Sequence, residues 1–294
     1  MHRRETEMKL GVKAYLKSVG FQFDKTPEKL DRIFHTSLDD DGKRAFAHYC
    51  AIAPQYKDIK DVLKIPTTAK QAARLFSSDA NRYTASMACM DDFLSATPPG
   101  SVLDVGCGAG FLIGYLSQKY PLFSFEGLES QPNLAQIASE FTGERIFNLN
   151  YLTDLPPQTY DYVLCEFGWD ASDIAEGGAP HELIELDGHQ YCEGCSQAAE
   201  KSYAEMLLNW SQLLKPNGKL FVTGRLGTIG DLIAFLSAAN KCGLGTTSNG
   251  ARWIYWKHND TNQRAPALML EHETSKGVDE VLAVARSIYK SVKH

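Results

Sequence analysis

The stretch LDVGCGAGF, from Leu103 to Phe111, places three glycines at alternate positions between an acidic residue and a helical pattern. The apolar run SVLDV that leads into it is typical of a short buried strand, and GFLIGYLSQKY after it has helical periodicity. Glycines in a strand-to-helix turn allow positive φ angles and a close approach of a ligand to the backbone. The stretch therefore predicts a ligand-binding turn in an α/β fold.

The spacing of the glycines separates this turn from two common nucleotide-binding motifs. Gly106, Gly108 and Gly110 follow the pattern G-x-G-x-G, whereas the dinucleotide fingerprint needs its third glycine where Phe111 stands. No Gly-Lys-Ser/Thr sequence follows, so the turn is not a P-loop. Glu129 ends the next strand candidate, FSFEGLE, where an acid can accept hydrogen bonds from ribose hydroxyls. We therefore expect a ligand that has a ribose but no pyrophosphate.

Strand and helix patterns alternate after the proline break ATPPG at residues 96–100. Further strand candidates are RIFNLN, YDYVLCEF and GKLFVTG, and amphipathic helical segments separate most of them. ARWIYWKH and APALMLEH follow one another across a polar loop, which predicts an antiparallel pair. The predicted fold class is α/β, with a Rossmann-like, doubly wound, mostly parallel sheet, an antiparallel edge pair and an N-terminal helical cap.

The same patterns divide the chain into regions. Residues 1–97 carry helical stripes and are predicted to form the cap on the acceptor side. Residues 98–275 form the Rossmann-like domain, which includes a long acceptor loop at 168–197, and residues 276–294 carry a C-terminal helix. We expect the cap to be a lid over the mouth of the sheet, where ligands bind in open α/β folds. A dimerisation arm is the alternative.

The order of these motifs resembles that of the class I S-adenosylmethionine (SAM)-dependent methyltransferases. VLDVGCGAG matches the glycine-rich motif of that family, and FEGLES matches the segment with the ribose-binding acid. NLNYLTDLP, YDYVLCEF and LLKPNGKLFV match the adenine-side segment, the fourth strand and the turn into the fifth strand. The resemblance covers about residues 100–272. It implies that the protein binds SAM and releases S-adenosylhomocysteine (SAH).

The resemblance also implies roles for single residues. Asp104 would lie near the methionyl amine of SAM, and Glu129 would hold the ribose. Asn150 stands where the family commonly has an aspartate, and it can still accept a hydrogen bond at the adenine side through its carbonyl oxygen. The implied cofactor-binding residues are Tyr83, Asp104, Gly106, Gly108, Gly110, Glu129, Asn150, Tyr151 and Glu166.

Two of these residues also have purely structural interpretations. Tyr83 lies on a helical stripe before the proline break, where it is either part of the core or an aromatic face that attracts the SAM sulfonium. Asp104 is either the amine-binding acid or an acid that favours the positive end of the helix dipole. Cys107, within the glycine motif, is interpreted as a small apolar filler rather than a nucleophile.

The predicted acceptor loop is long and acidic, which is typical either of a functional loop or of a solvated one. Methyl transfer to a hydroxyl or an ammonium group needs a base that removes the proton. His181 and Asp170 are the candidate catalytic residues for this step. In the other interpretation both are solvated residues on the surface.

The segment HQYCEGC raises the question of a metal site in the same loop. His189, Cys192 and Cys195 have the spacing of zinc ligands, and His181 could supply a fourth. The chain has a single C-x-x-C and no second pair at finger-like spacing. We therefore predict unpaired thiols and no metal.

The function that we predict is transfer of a methyl group from SAM to an oxygen or nitrogen atom of a small molecule. The alternatives are methylation of a protein or peptide, for which Glu166 and Glu176 could hold a cationic side chain, and a non-catalytic SAM-binding scaffold. A nucleic-acid acceptor is disfavoured by the net charge of −6. In addition, EFGW at 166–169 replaces the Asn-Pro-Pro-aromatic tetrapeptide of nucleic-acid amine methyltransferases.

The composition of the sequence indicates the cellular compartment in which we expect the protein. The sequence contains no apolar stretch long enough to span a bilayer, and its first residues lack the apolar region of a secretory signal. Its seven cysteines are scattered, which favours reduced thiols and a cytoplasmic protein. The oligomeric state is left open.

Overall fold

The structure is a computed structural model that describes residues 11–52, 60–169, 182–186, 188–258, 260–274 and 276–290. The helices in these ranges are α1 Val12–Val19, α2 Pro27–Ser37, α3 Asp40–Ile52, α4 Lys60–Leu63, α5 Ala69–Leu75, α6 Ala80–Ser95, α7 Phe111–Lys119, α8 Pro132–Thr142, α9 Glu193–Gln212, α10 Ile229–Lys241 and α11 Val278–Lys290. The strands are β1 Ser101–Val105, β2 Ser124–Leu128, β3 Arg145–Phe147, β4 Tyr160–Glu166, β5 Leu183–Leu186, β6 His189–Cys192, β7 Leu214–Thr223, β8 Leu244–Gly245, β9 Ala251–His258 and β10 Thr261–His272.

The main sheet has the strand order β3-β2-β1-β4-β7-β10-β8, and β9 also pairs with β10. Neighbouring strands from β3 to β7 are parallel, whereas β10 is antiparallel to β7, β8 and β9. The predicted Rossmann-like class with an antiparallel pair is therefore confirmed. The strand order reverses between β1 and β4, which places the expected ligand crevice at the carboxyl ends of these two strands.

Helices cover both faces of the sheet. Leu103, Val163 and Leu220 share one core with α9, α10 and α11. Val102 and Leu164, which alternate with them along the strands, share a second core with α1, α6, α7 and α8. Strands buried on both faces explain why the sequence shows continuous apolar runs in this region rather than an alternating pattern.

The N-terminal helices divide between this second core and a small cluster of their own. Leu16 on α1 and Met90 on α6 are fully buried in the same core as α7. Phe34 on α2 and Phe46 on α3 instead form a separate cluster with the short helix α4 and its neighbours. Residues 1–97 thus contain helices that pack on the sheet domain itself as well as helices that stand apart from its core.

The segment predicted as the acceptor loop contains regular structure. β5 and β6 pair antiparallel as a small sheet, and α9 begins at Glu193. The described second half of the predicted acceptor loop, residues 168–197, is therefore a hairpin followed by the start of a helix. The Asp-Gly pair at 187–188, between LIEL and HQYC, is a strong hairpin signal that could have predicted this.

Candidate cofactor site

The glycine turn after β1 has the backbone conformation that its sequence predicts. Gly106, Gly108 and Gly110 have φ angles of 71°, 55° and 77°, which side chains with a Cβ rarely adopt. The amides of Gly106 and Cys107 donate to the carbonyl oxygen of Leu128 at 2.8 and 3.0 Å, which ties the turn to the end of β2. A Cβ atom at Gly108 would meet nothing within 4 Å, so there is room for a ligand beside this residue.

Glu129 lies directly against this turn. Its carboxylate accepts hydrogen bonds from the amides of Gly108 and Gln131, each at 2.8 Å. The residue is buried, and burial raises the pKa of its carboxyl above the ordinary value while the backbone hydrogen bonds oppose the rise. An acid held in this way at the end of β2 can accept further hydrogen bonds from vicinal hydroxyls.

Asp104 is the penultimate residue of β1 and is only 2% exposed. Its Oδ1 atom is buried and has no hydrogen-bond partner in the described part of the chain. Burial raises the pKa of this carboxyl well above its ordinary value, and the negative charges of Glu166 and Glu129 raise it further. A buried acceptor without a donor is costly, so Asp104 suits a ligand that brings a cationic donor.

Glu166 ends β4 and carries a partner that the sequence did not reveal. Nη1 of Arg82 donates to its Oε1 at 3.0 Å, and the hydroxyl of Ser86 donates to the same oxygen. Burial raises the pKa of Glu166 to about 7, although Arg82 and Ser86 both act to lower it. The guanidinium also lies 4.5 Å from the ring centroids of Tyr83 and Phe167. Arg82 therefore fastens the first turn of α6 to the ligand-binding end of the sheet.

Tyr83 lies in an aromatic group beside this ion pair. Its ring contacts Phe21 at 5.2 Å and Phe76 at 6.0 Å between centroids, and burial raises the pKa of its hydroxyl. The structure thus gives Tyr83 packing contacts together with a place close to Glu166. Its contact with a sulfonium remains a prediction.

The adenine-side residues follow β3 on a turn. Oδ1 of Asn150 accepts from the amide of Leu152 at 3.1 Å, and the ring of Tyr151 lies 5.9 Å from that of Trp210. Asn148, which the sequence analysis passed over, donates to the backbone oxygen of Glu129 at 2.9 Å. Asn148 therefore braces the ribose-side acid, and the adenine roles of Asn150 and Tyr151 remain predictions.

Two further buried polar atoms near the strand ends lack partners in the ranges described. They are Nε1 of Trp169 and Oγ1 of Thr223. Thr223 ends β7 and pairs in register with Glu166, and Trp169 follows β4 and stacks on Phe235. Neither residue type is unusual in a core, so the sequence offers no signal for them.

The proposed catalytic residues Asp170 and His181 lie outside the described residues, as does Glu176. His189, Cys192 and Cys195 are described, and no group of three or more metal-ligating side chains is found among the residues searched. The ring of His189 packs against that of Tyr289, with centroids 4.6 Å apart. The absence of a zinc site that includes His181 therefore stays a prediction.

The sequence matches no protein-family model and no curated protein. Among solved structures, it is similar to a TehB-like SAM-dependent methyltransferase from Corynebacterium glutamicum, with 16% identity over 79% of this chain and 98% of that one and a TM-score of 0.43. It is also similar to an O-methyltransferase from a trans-AT polyketide synthase multienzyme of Brevibacillus brevis in complex with SAH, with 13% identity over 72% and 78% and a TM-score of 0.46. A third is the magnesium protoporphyrin IX methyltransferase from Synechocystis with bound SAM, with 12% identity over 69% and 83% and a TM-score of 0.40.

These likenesses are distant, and the strand order defines the fold independently of them. Five parallel strands, a reversal of order between β1 and β4 and an antiparallel strand next to β7 are the arrangement of class I SAM-dependent methyltransferases. The chain has this fold. No helix in the described ranges is both long and apolar enough to cross a membrane.

Proposed function

We propose that the protein is a SAM-dependent methyltransferase that acts on an oxygen or nitrogen atom of a small molecule. The observation that carries this proposal is the buried Oδ1 atom of Asp104, which has no hydrogen-bond partner among the described residues and lies next to the glycine turn and Glu129. SAM carries an ammonium group, which is the kind of donor that Oδ1 of Asp104 lacks, and ribose hydroxyls, which can donate to Glu129 alongside its two backbone donors. NAD would bring a pyrophosphate, which suits neither this cluster of acids nor the G-x-G-x-G spacing.

When bound, the cofactor supplies an activated methyl group on a sulfonium. Asp104 would hold the methionyl amine, and Glu129 would hold the ribose. Gly106 and Gly108 would let the backbone approach the part of the cofactor between these two groups. Glu166 and Tyr83 would line the methionine side, where an aromatic face favours a positive charge. The chain then has to align the acceptor with the methyl group and exclude water. His181 or Asp170 would remove a proton from the acceptor.

The alternative of a protein or peptide acceptor finds less support at Glu166. That proposal reserves Glu166 for a cationic side chain of the substrate, whereas Arg82 of the same chain already occupies its carboxylate at 3.0 Å. Methylation of a small molecule does not require Glu166 to bind a cationic side chain. A non-catalytic scaffold differs from both, because it would bind SAM without consuming it.

Calorimetry tests the cofactor part of this proposal. We expect SAH and SAM to bind with micromolar dissociation constants and NAD to produce no binding heat. Binding of NAD alone would contradict the proposal. Formation of SAH from SAM in the presence of small hydroxy- and amino-compounds then tests catalysis, and tight SAM binding without turnover of any acceptor would support the scaffold.

A further inference from the structure

A cavity of about 610 Å³ lies between the N-terminal helices and the end of β9. Residues from α2, α3, α4, α5 and the first turn of α6 line it, together with Lys257 and His258. Its volume falls within the range of small-molecule sites, which is roughly 300–1,000 Å³. Asn81 also lines the cavity, and the next residue, Arg82, pairs with Glu166 at the cofactor site. One residue of the cavity wall is thus the chain neighbour of a residue that contacts the proposed cofactor site.

The apolar wall of this cavity is built from the small core of the N-terminal helices. Phe34, Phe46 and Val62 line it and are themselves at least nine-tenths buried. The rings of Phe34 and Phe46 meet edge to face with centroids 5.0 Å apart. This wall suits a flat or branched apolar body rather than a highly polar ligand.

Arg74 on α5 supplies the opposite chemistry in the same cavity. Among the described residues, its buried Nε atom has no hydrogen-bond partner and its guanidinium pairs with no carboxylate. The acidic residues of the lining, Asp24, Asp31 and Asp260, are exposed, so water screens their charges. A buried Nε–H group without an acceptor is costly, and an oxyanion bound by the guanidinium would satisfy it.

We propose that this cavity binds a small molecule with an apolar body and an anionic group, held by Phe34, Phe46 and Arg74. The inference rests on the proposed function in one respect, because it makes such a molecule the class of methyl acceptor. The carboxylate, sulfonate or phosphate group would accept hydrogen bonds from Arg74, and the apolar body would lie against the two rings.

Two fluorescent probes test the anion preference directly. 8-Anilinonaphthalene-1-sulfonate carries an anionic group on an aromatic body, and N-phenyl-1-naphthylamine has the same body without the charge. Arg74→Gln should weaken binding of the sulfonate about tenfold or more and leave the neutral probe within about twofold. Arg32→Gln, on the exposed side of α2, is the matched control and should change neither. Equal losses for both probes, or no loss, would overturn the proposal.

Two additions keep the result interpretable. Arg74→Lys retains the charge and should recover most of the sulfonate binding, which a variant that merely misfolds would not do. Saturating SAH should leave the sulfonate affinity unchanged, whereas displacement by SAH would show that the probe occupies the cofactor site and would overturn the proposal. If SAH does not bind at all, the proposed function is refuted instead. Calorimetry with SAH in the absence of both probes measures this separately.

Discussion

Three acidic residues at the strand ends have different surroundings, and the surroundings set their chemistry. Glu129 accepts two backbone hydrogen bonds, Glu166 pairs with Arg82, and Oδ1 of Asp104 has no partner in the described structure. Burial raises the pKa of all three carboxyls. A cationic ligand beside Asp104 would lower that pKa again, so we infer that ligand binding and ionisation are coupled at this residue.

Glu129→Ala should weaken SAH binding by about 1.5–3 kcal/mol, because it removes a charged acceptor for the ribose hydroxyls. Calorimetry with SAH measures the change. Glu140→Ala, on the exposed surface of α8, is the control and should leave the affinity unchanged. An unaltered dissociation constant in Glu129→Ala would mean that the ribose acid has been wrongly assigned.

The raised pKa of Glu166 predicts a specific dependence of stability on pH. Its pKa rises from 4.5 to about 7 on folding, so the folded state binds the proton more tightly than the unfolded chain does. The resulting stabilisation is complete below about pH 4.5 and is lost as the pH rises through about 7. Glu166→Gln cannot titrate, so the unfolding free energy of the unaltered chain should fall relative to that of the variant between pH 5 and 8.

Urea denaturation at several pH values measures this difference. Glu140→Gln, at an exposed position on α8, is the matched control. If the unaltered chain instead becomes more stable relative to Glu166→Gln as the pH rises, Arg82 stabilises the ionised carboxylate more than burial destabilises it.

At the level of elements, the β1–α7 turn and the segment after β4 pack so closely that each restricts the backbone position of the other. A Cβ atom at Gly106 would lie 2.6 Å from Cα of Gly168, and one at Gly168 would lie 2.4 Å from the backbone oxygen of Val105. Phe167, the residue before Gly168, has a positive φ of 51°. Glycine is needed here because two backbones meet, as well as for its conformational freedom.

Gly106→Ala should therefore cost more than an ordinary substitution at positive φ. We expect it to lower the unfolding free energy and to abolish measurable SAH binding, because the turn must move away from Gly168. Gly143→Ala is the matched control: Gly143 has a φ of 73° at the end of α8, but its Cβ would meet nothing within 4 Å. It should lose only about 1 kcal/mol of stability and keep its SAH affinity. Equal behaviour of the two variants would contradict the steric argument.

The success of prediction differed among elements for a physical reason. β1, β2 and β4 are buried on both faces, so their apolar runs and bounding glycines are strong local signals. The β5–β6 hairpin is only partly buried and lies within an acidic stretch of sequence, so composition suggested a loop although the Asp-Gly turn signal was present. Composition was the wrong guide there, and turn chemistry was the better one.

At the level of the whole molecule, the first helix belongs to the same core as the sheet domain. Leu16 on α1 is completely buried in a cluster that also contains Leu116 of α7 and Val102 of β1. The N-terminal helices closest to the sheet therefore share its stability. The boundary near residue 97 stays a prediction about function, namely that the preceding residues form the acceptor side and close over the cofactor.

Leu16→Ala should lower the unfolding free energy of the whole chain by about 2–5 kcal/mol, because it leaves a cavity in a shared core. Urea denaturation should still show one transition. Leu122→Ala, at a position that is 79% exposed, is the control and should change stability by less than about 0.5 kcal/mol. A separate, earlier transition for the N-terminal helices would contradict the shared core.

Local patterns were sufficient to predict the fold class, the glycine turn and the positions of the acids at the ends of β1 and β2, because each depends on residues close together in the chain. The tertiary structure alone joined Arg82 and Ser86 to Glu166, across sequence separations of 84 and 80 residues. It also placed Arg74 in a cavity walled by the N-terminal helices, where no carboxylate of the described residues pairs with it; the sequence showed these helices only as apolar stripes. Such contacts depend on how α5 and α6 pack against the sheet, and helical periodicity identifies which face of a helix is buried but not which residue it meets.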